Sequence, residues 1–149
     1  MGSEPIVSVI IPVYNGTSTI ASTLCSVVKQ SLTGFELVIV DDGSTDDLTV
    51  VIEDWKTAYR SHLLTRNIDL QLLQFENAGQ AIARNRGIER SQGKYIAFLD
   101  ADDQWSVDKL KAQVLFLEQH SEVALVYSWT NCVDGWGGFI CPGSHKLST

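Results

Sequence analysis

Short apolar runs alternate with amphipathic stretches along the chain as far as Tyr127. The runs are rich in β-branched residues, which is typical of strands that are buried on both faces of a parallel sheet. Five strands are predicted, at residues 6–11, 37–40, 70–75, 95–99 and 123–127. Because each run is bounded by Pro, Gly, Asn, Asp or Ser, the strands are expected to end in turns or loops.

Between these runs, apolar residues recur every three or four positions, which predicts amphipathic helices. The first helix is expected to begin at Thr17 or Ser18 and to end at Gly34. The other three are expected to begin at Asp46 or Asp47, to cover residues 78–91 and to cover residues 107–120.

Repeated strand–helix alternation predicts the α/β class, with a mostly parallel sheet, right-handed crossovers and helices on both faces. At 149 residues the chain is expected to form one domain over residues 1–149. After Tyr127 the period fails, so residues 128–149 are predicted to be an irregular tail. A parallel sheet that ends so abruptly indicates a truncated fold.

Polar clusters follow four of the predicted strands, at residues 12–16, 41–46, 76–79 and 100–103. In parallel sheets ligands bind beyond the carboxyl ends of the strands, where such clusters would meet. Any one cluster can be an ordinary turn, because Asp, Asn, Gly and Ser are turn residues. The four together predict a binding site at this edge of the sheet.

The charge balance limits the kind of ligand. Lys and Arg total 11 and Asp and Glu total 18, which gives a net charge of −7. This balance argues against a nucleic-acid surface and against a polybasic membrane anchor. It leaves an anionic ligand open, because a metal ion or a helix N-terminus can supply local positive charge.

Cysteine usage and hydropathy indicate a cytoplasmic protein. Cys25, Cys132 and Cys141 are odd in number and form no CxxC pair, so a disulfide framework is not expected. No apolar run approaches the ~18 residues that indicate a membrane span. Membrane association of a longer protein stays open.

Three carboxylates lie within four residues at Asp100, Asp102 and Asp103. Like charges this close repel each other unless a cation neutralises them, and Mg²⁺ or Mn²⁺ takes oxygen ligands. The alternative is a helix N-cap, which Asp103 could provide alone. The pattern therefore favours a divalent-metal site.

Other polar residues of this edge can serve either a ligand or the fold. Asp41 and Asp42 can accept hydrogen bonds from a base or a ribose, or cap a helix. Tyr14 can stack on a base or pack. Gly79 permits close approach of a ligand to the backbone. Arg84 can pair with a diphosphate, or with one of the surplus carboxylates.

Four motifs in the same order resemble family 2 glycosyltransferases of the GT-A fold, over about residues 6–134. They are VIIPVYN at 9–15, VDDGSTD at 40–46, NAG at 77–79 with ARN at 83–85, and FLDADD at 98–103. The resemblance implies a Rossmann-like αβα sandwich. It also implies transfer of a sugar from a nucleoside diphosphate donor, chiefly a UDP-sugar, with inversion and with Mn²⁺ or Mg²⁺.

The resemblance also assigns roles to residues. Asp100 and Asp102 match the family's DxD pair, with Asp102 as the first choice for a direct metal ligand, and Asp103 is expected to contact the metal or the sugar. The metal would neutralise the diphosphate leaving group. The residues expected to bind the donor are Pro12, Tyr14, Asn15, Asp41, Asp42, Gly79, Arg84, Asp100 and Asp102.

The family's general base, usually a carboxylate on a later segment, has no match in this chain. We therefore expect a donor-binding portion without a complete catalytic machinery. A sugar nucleotidyltransferase is disfavoured, because no Lys or Arg precedes Lys29 to form a basic loop after the first strand. A non-catalytic binding module stays open, as does a homodimer formed by pairing of an exposed sheet edge.

Overall fold

The structure is a computed structural model that describes residues 4–134 and 138–143. It divides into two compact units, Met1–Val114 and Leu115–Thr149, which are described separately. The single domain expected over residues 1–149 stays a prediction. Within the described ranges, no helix combines the length and the apolar character needed to cross a membrane.

The first unit contains a four-stranded sheet and its helices. The elements are β1 (Val7–Val13), α1 (Ile20–Val28), β2 (Glu36–Asp41), α2 (Leu48–Ala58), α3 (Arg60–Thr65), β3 (Asp69–Gln74), α4 (Gln80–Arg90) and β4 (Tyr95–Phe98). The strand order is β3-β2-β1-β4, and all three pairings are parallel. This arrangement confirms the α/β prediction. A further helix, α5 (Lys109–Gln119), begins in this unit.

Apolar side chains cover both faces of the sheet. Every residue of β1 and β2 is buried, which explains why apolar residues fill most positions of these strands in the sequence. One face packs Val9, Ile11 and Leu37 with the buried sides of α1, α2 and the start of α5. The other face packs Ile10, Val38 and Val40 against Ala83 of α4. Each fully buried side chain of this size contributes about 1.5–3 kcal/mol.

Helix α4 lies very close to the sheet at Gly87. A Cβ atom at this position would lie 2.5 Å from Ile10 Cγ2 and 3.3 Å from Val40 Cγ2. Because real Cβ atoms do not approach so closely, only glycine allows the helix to sit at this depth. The close contact fixes where the first turn of α4 lies at the carboxyl edge of the strands.

Two predicted boundaries of the first helix are wrong. Helix α1 begins at Ile20, with Thr19 as its N-cap, rather than at Thr17 or Ser18, and the Gly16 carbonyl accepts from the Thr19 and Ile20 backbone N–H in the turn before it. The helix ends at Val28, well before Gly34. Gly34 instead adopts a φ of +71° in the turn that leads into β2.

The second unit corrects two further predictions. Residues 123–127 form no strand, and Leu125 and Tyr127 are 74% and 72% exposed. The irregular tail predicted for 128–149 contains an antiparallel hairpin, β5 (Asn131–Val133) and β6 (Phe139–Pro142). Residues 135–137 and 144–149 of that tail lie outside the described residues.

Replacing Gly87 tests the close packing of α4. We expect Gly87→Ala to lower the free energy of unfolding by about 1 kcal/mol or more, although alanine raises helix propensity by a similar amount. Glu89→Ala, at an exposed position of the same helix, is the matched control and should change stability little. Urea unfolding measures both variants, and a stabilised Gly87→Ala protein would contradict the packing argument.

Candidate functional site

A cleft of about 540 Å³ opens at the carboxyl edge of the sheet. Its walls come from the loops after β1, β2 and β4 and from the beginnings of α1 and α4. Six predicted site residues line it, which are Pro12, Tyr14, Asn15, Asp42, Asp100 and Asp102. Residues distant in sequence therefore meet at the edge where the sequence placed them.

Asn15 connects the loop after β1 to the loop after β2. Its side-chain Oδ1 accepts from the backbone N–H of Thr45 at 2.7 Å and of Asp46 at 3.3 Å. Its own backbone N–H donates to Ser44 Oγ at 2.9 Å. Asn15 has a φ of +53°, a left-handed conformation that Asn tolerates better than most residues. This residue therefore shapes the cleft as well as lining it.

The two carboxylates of the turn after β2 are buried and bind backbone amides. Asp41 Oδ1 accepts from the Ser44 N–H at 2.8 Å. Asp42 accepts from the Ala78 N–H at 3.0 Å and from the Gly79 N–H at 2.7 Å. Arg86 Nη1 lies 3.4 Å from Asp42 Oδ1 and adds positive charge. Both carboxylates hold loops in place, and only Asp42 also lines the cleft.

Glycine at position 79 is required by the backbone. It is the N-cap of α4, with a φ of +91°, a conformation that side chains disfavour. A Cβ atom there would meet nothing within 4 Å. The predicted reason, close approach to a ligand, thus differs from the one that the structure provides. Gly79 turns the chain so that its N–H reaches Asp42.

Arg84 pairs with a carboxylate of the acidic cluster. Its Nη2 lies 2.5 Å from Asp100 Oδ1, and Gln80 Nε2 donates to the same oxygen at 3.1 Å. This is the second of the two alternatives that the sequence left open for Arg84. The pair leaves Asp100 Oδ2 for another partner. The sequence analysis did not predict Gln80 as a site residue. Its position just after Gly79, at the start of a helix, could have indicated it.

The remaining two carboxylates of the cluster, Asp102 and Asp103, are exposed. Desolvation raises the pKa of Asp103, and the negative charges of Asp102 and Asp100 raise it further. Asp103 therefore experiences the repulsion that the sequence predicted. A bound cation would relieve it.

A divalent cation fits this edge only with help from a ligand. Across residues 4–134 and 138–143, no three His, Cys, Asp or Glu side chains are placed to hold a metal ion together. Asp100 and Asp102 nevertheless both line the cleft. Mg²⁺ and Mn²⁺ are commonly held by one or two carboxylates, substrate phosphates and water. The two residues fit that ligand set.

The chain just before α1 also lines the cleft, with Ser18, which the sequence suggested only as a helix cap, and with Thr19, which it did not single out. Gly16 lines the same cleft. A Cβ atom at Gly16 would lie 2.5 Å from Val13 Cγ2, so the loop can turn this tightly only with glycine. The helix N-terminus consequently faces the same space as Asp102.

Comparison with known proteins identifies the family. The family model described as Glycosyl transferase family 2 matches residues 8–140. The chain belongs to this family. It is 42% identical over 118 residues to TuaG of Bacillus subtilis (strain 168), which is named as a glycosyltransferase of teichuronic acid biosynthesis. The match covers 79% of this chain and 44% of TuaG, so the chain spans less than half of that relative's length.

Two solved structures of glycosyltransferases resemble the fold and confirm the GT-A prediction. S. aureus TarS 1–349 in complex with UDP-GlcNAc superposes with a TM-score of 0.67 at 32% identity, over 77% of this chain and 32% of that chain. The mannosyltransferase PcManGT of Pyrobaculum calidifontis, in complex with GDP-Man and Mn²⁺, gives a TM-score of 0.68 at 28% identity, over 77% and 33%. This family 2 chain therefore spans about a third of the length of each of those chains.

Substitution of Asp42 tests its role as the link to α4. Asp42→Asn keeps one acceptor but turns an amide N–H₂ toward a backbone N–H, so we expect a loss of about 1–3 kcal/mol in the free energy of unfolding. Asp47→Asn is the matched control, because Asp47 is the exposed N-cap of α2 and makes no side-chain cap bond. Equal stability of the two variants in urea unfolding would refute the role.

Proposed function

We propose that this chain is the donor-binding part of a glycosyltransferase that transfers a sugar from a UDP-sugar to an acceptor hydroxyl, with inversion and with Mn²⁺ or Mg²⁺. The observation that carries the proposal is the cleft, which brings together an exposed aromatic ring, a buried carboxylate and two further carboxylates. Family membership supplies the reaction class.

The base and ribose are proposed to bind between Tyr14 and Asp42. Tyr14 is 53% exposed at the mouth of the cleft, so a planar base has a ring face to stack on. Asp42 is held in one orientation by Ala78 and Gly79. A carboxylate has about four lone-pair directions. The fixed carboxylate can therefore still accept from a ribose hydroxyl or a base N–H. Pro12 and Asn15 are proposed to complete the part of the cleft that holds the base and ribose.

The diphosphate is proposed to lie between Asp102 and the beginning of α1. Asp102 and the free oxygen of Asp100 would hold the cation, and Asp103 is proposed as a third contact. The cation would supply positive charge for the diphosphate leaving group. Ser18 and Thr19 stand at the positive end of the helix dipole, which favours phosphate. This arrangement would allow a chain of net charge −7 to bind an anionic diphosphate.

Uridine is the proposed base because of the comparisons. TarS, at 32% identity, is described in complexes with UDP-GlcNAc and with UDP. PcManGT, at 28% identity, is described with GDP-Man and Mn²⁺. The name of TuaG, which refers to teichuronic acid biosynthesis, supports a proposed role in making a cell-envelope polysaccharide. We propose no residue of this chain as the general base.

Calorimetric titration of UDP tests the proposed site. We expect binding with Mn²⁺ present, and an affinity at least about tenfold lower after chelation or in Asp102→Asn, because a metal ligand is lost. Asp108→Asn, an exposed acid a few residues further along, is the matched control and should bind as the wild type does.

Two outcomes would contradict the proposal. Equal UDP affinity with and without Mn²⁺ would exclude a metal-held diphosphate. Absence of UDP binding by a folded wild-type chain, checked by the same unfolding curve, would exclude a self-sufficient donor site and would favour a non-catalytic module.

Substitutions of Tyr14 test how much aromatic stacking contributes to UDP binding, separately from the metal ion. We expect Tyr14→Ala to weaken UDP binding about threefold to tenfold, the equivalent of ~0.5–1.5 kcal/mol of aromatic stacking. Tyr14→Phe keeps the ring and should change the affinity less than about twofold. The same titration with Mn²⁺ measures both, and equal losses in the two variants would indicate a role for the hydroxyl instead.

A further inference from the structure

Two cysteines face each other across the hairpin of the second unit. Cys132 of β5 and Cys141 of β6 are register partners, and the irregularity in the pairing comes only after Cys132. Residues directly opposite in an antiparallel pair have Cα atoms about 4.5–5.5 Å apart. Disulfides join Cα atoms about 4.4–6.8 Å apart. The backbone therefore already has the spacing that a disulfide needs.

The side chains are also suitably placed. Opposite residues of an antiparallel pair point to the same face, so both sulfur atoms lie on one side of the hairpin. The pKa of the Cys141 thiol is raised, chiefly by a side-chain hydrogen bond with Cys132, which agrees with their opposite positions in the register. Both residues are free thiols and exposed, so a small reagent reaches them.

Hydrogen bonds on either side hold the two strands in this register. The Gly143 N–H donates to the Thr130 carbonyl at 2.8 Å, beyond the cysteines on the open side of the hairpin. Toward the turn, the Asp134 N–H donates to the Gly138 carbonyl at 2.8 Å. Because the register is fixed on both sides, the cysteines stay opposite each other.

We propose that Cys132 and Cys141 are a thiol–disulfide exchange site that closes reversibly across the hairpin on reaction with a low-molecular-weight disulfide such as oxidised glutathione. One cysteine thiolate attacks the small disulfide, forms a mixed disulfide and releases one small thiolate. The second cysteine thiolate attacks the protein sulfur of that mixed disulfide and releases the other. The two protein thiols lose two electrons and two protons, and the small disulfide becomes two thiols.

Cys25 provides an internal control. It is half-buried on α1 in the first unit. Its sulfur lies 3.2 Å from the Tyr59 hydroxyl and 3.5 Å from Trp55 Nε1. It has no opposing cysteine in its own unit, since the other two belong to the second. Cys25 should therefore stay reduced while the hairpin pair reacts.

Peptide mapping of the whole folded chain in glutathione buffers tests this site. After acid quenching, alkylation and digestion, we expect a cross-linked Cys132–Cys141 peptide together with alkylated Cys25. Cys132→Ser and Cys141→Ser should instead carry glutathione on the remaining cysteine. In the wild type, half of the cysteine pair should be oxidised at some ratio of oxidised to reduced glutathione. Half-modification of either variant should need a ratio at least about tenfold higher, because the wild type completes the exchange by an intramolecular attack.

The result that overturns the proposal is equally direct. Glutathione on both hairpin cysteines of the wild type, without a cross-linked peptide, would show that the pair does not close. A cross-link that includes Cys25, or one that is lost in Cys25→Ser, would assign the reactivity to another pair. Neither result bears on nucleotide binding, which is measured on the first unit.

Discussion

The candidate site depends on one buried carboxylate, that of Asp42. It receives the backbone N–H groups of Ala78 and Gly79 and so ties the end of β2 to the start of α4. Gly87 fixes the depth of the same helix by close contact with Ile10. With its start and its depth both determined, α4 presents Gln80 and Arg84 to Asp100, and both side chains donate to the same carboxylate oxygen. Loss of the Asp42 hydrogen bonds would therefore also disturb the contacts of Gln80 and Arg84 with Asp100.

The acidic residues of this edge divide into two groups by their partners. Asp41 and Asp42 are buried and bind backbone amides, so their charge is compensated by the fold. Asp100 is compensated by Arg84. Asp102 and Asp103 are exposed. The acidic residues of this edge therefore include buried carboxylates that hold loops and exposed carboxylates that are proposed to hold a ligand, and burial distinguishes the two kinds.

The parts of the fold that follow from local pattern were predictable, and the parts that depend on a partner were not. β1 and β2 are buried on both faces, so their apolar runs identify them. Residues 123–127 have the same kind of run, but they form no strand and pair with none of the described strands. In the hairpin all described strand residues are exposed, so no apolar alternation marks it. Such a hairpin depends on its turn and on strand pairing, and these leave only a weak alternation of apolar and polar residues in the sequence.

The site was predictable in its location but not in its contacts. The carboxyl-edge rule brought Tyr14, Asp42 and Asp102 together correctly, because it follows from sheet topology. The bonds from Gly79 to Asp42 and from Arg84 to Asp100 join residues 37 and 16 positions apart. Such pairings are set by helix packing, so the sequence could offer a surplus carboxylate as one alternative partner for Arg84 but could not identify it as Asp100.

The two cleft-lining carboxylates of the cluster differ in what they do for the protein alone. Removing the charge of Asp100 would also leave Arg84 without its partner, because that pair is only 2.5 Å long. Asp102 forms no ion pair within the described chain, so its charge can be removed at little cost to the fold. An uncompensated carboxylate that lines a cleft is an arrangement that a cation can complete. A substitution at position 102 can therefore test the proposed metal binding with little effect on the stability of the fold.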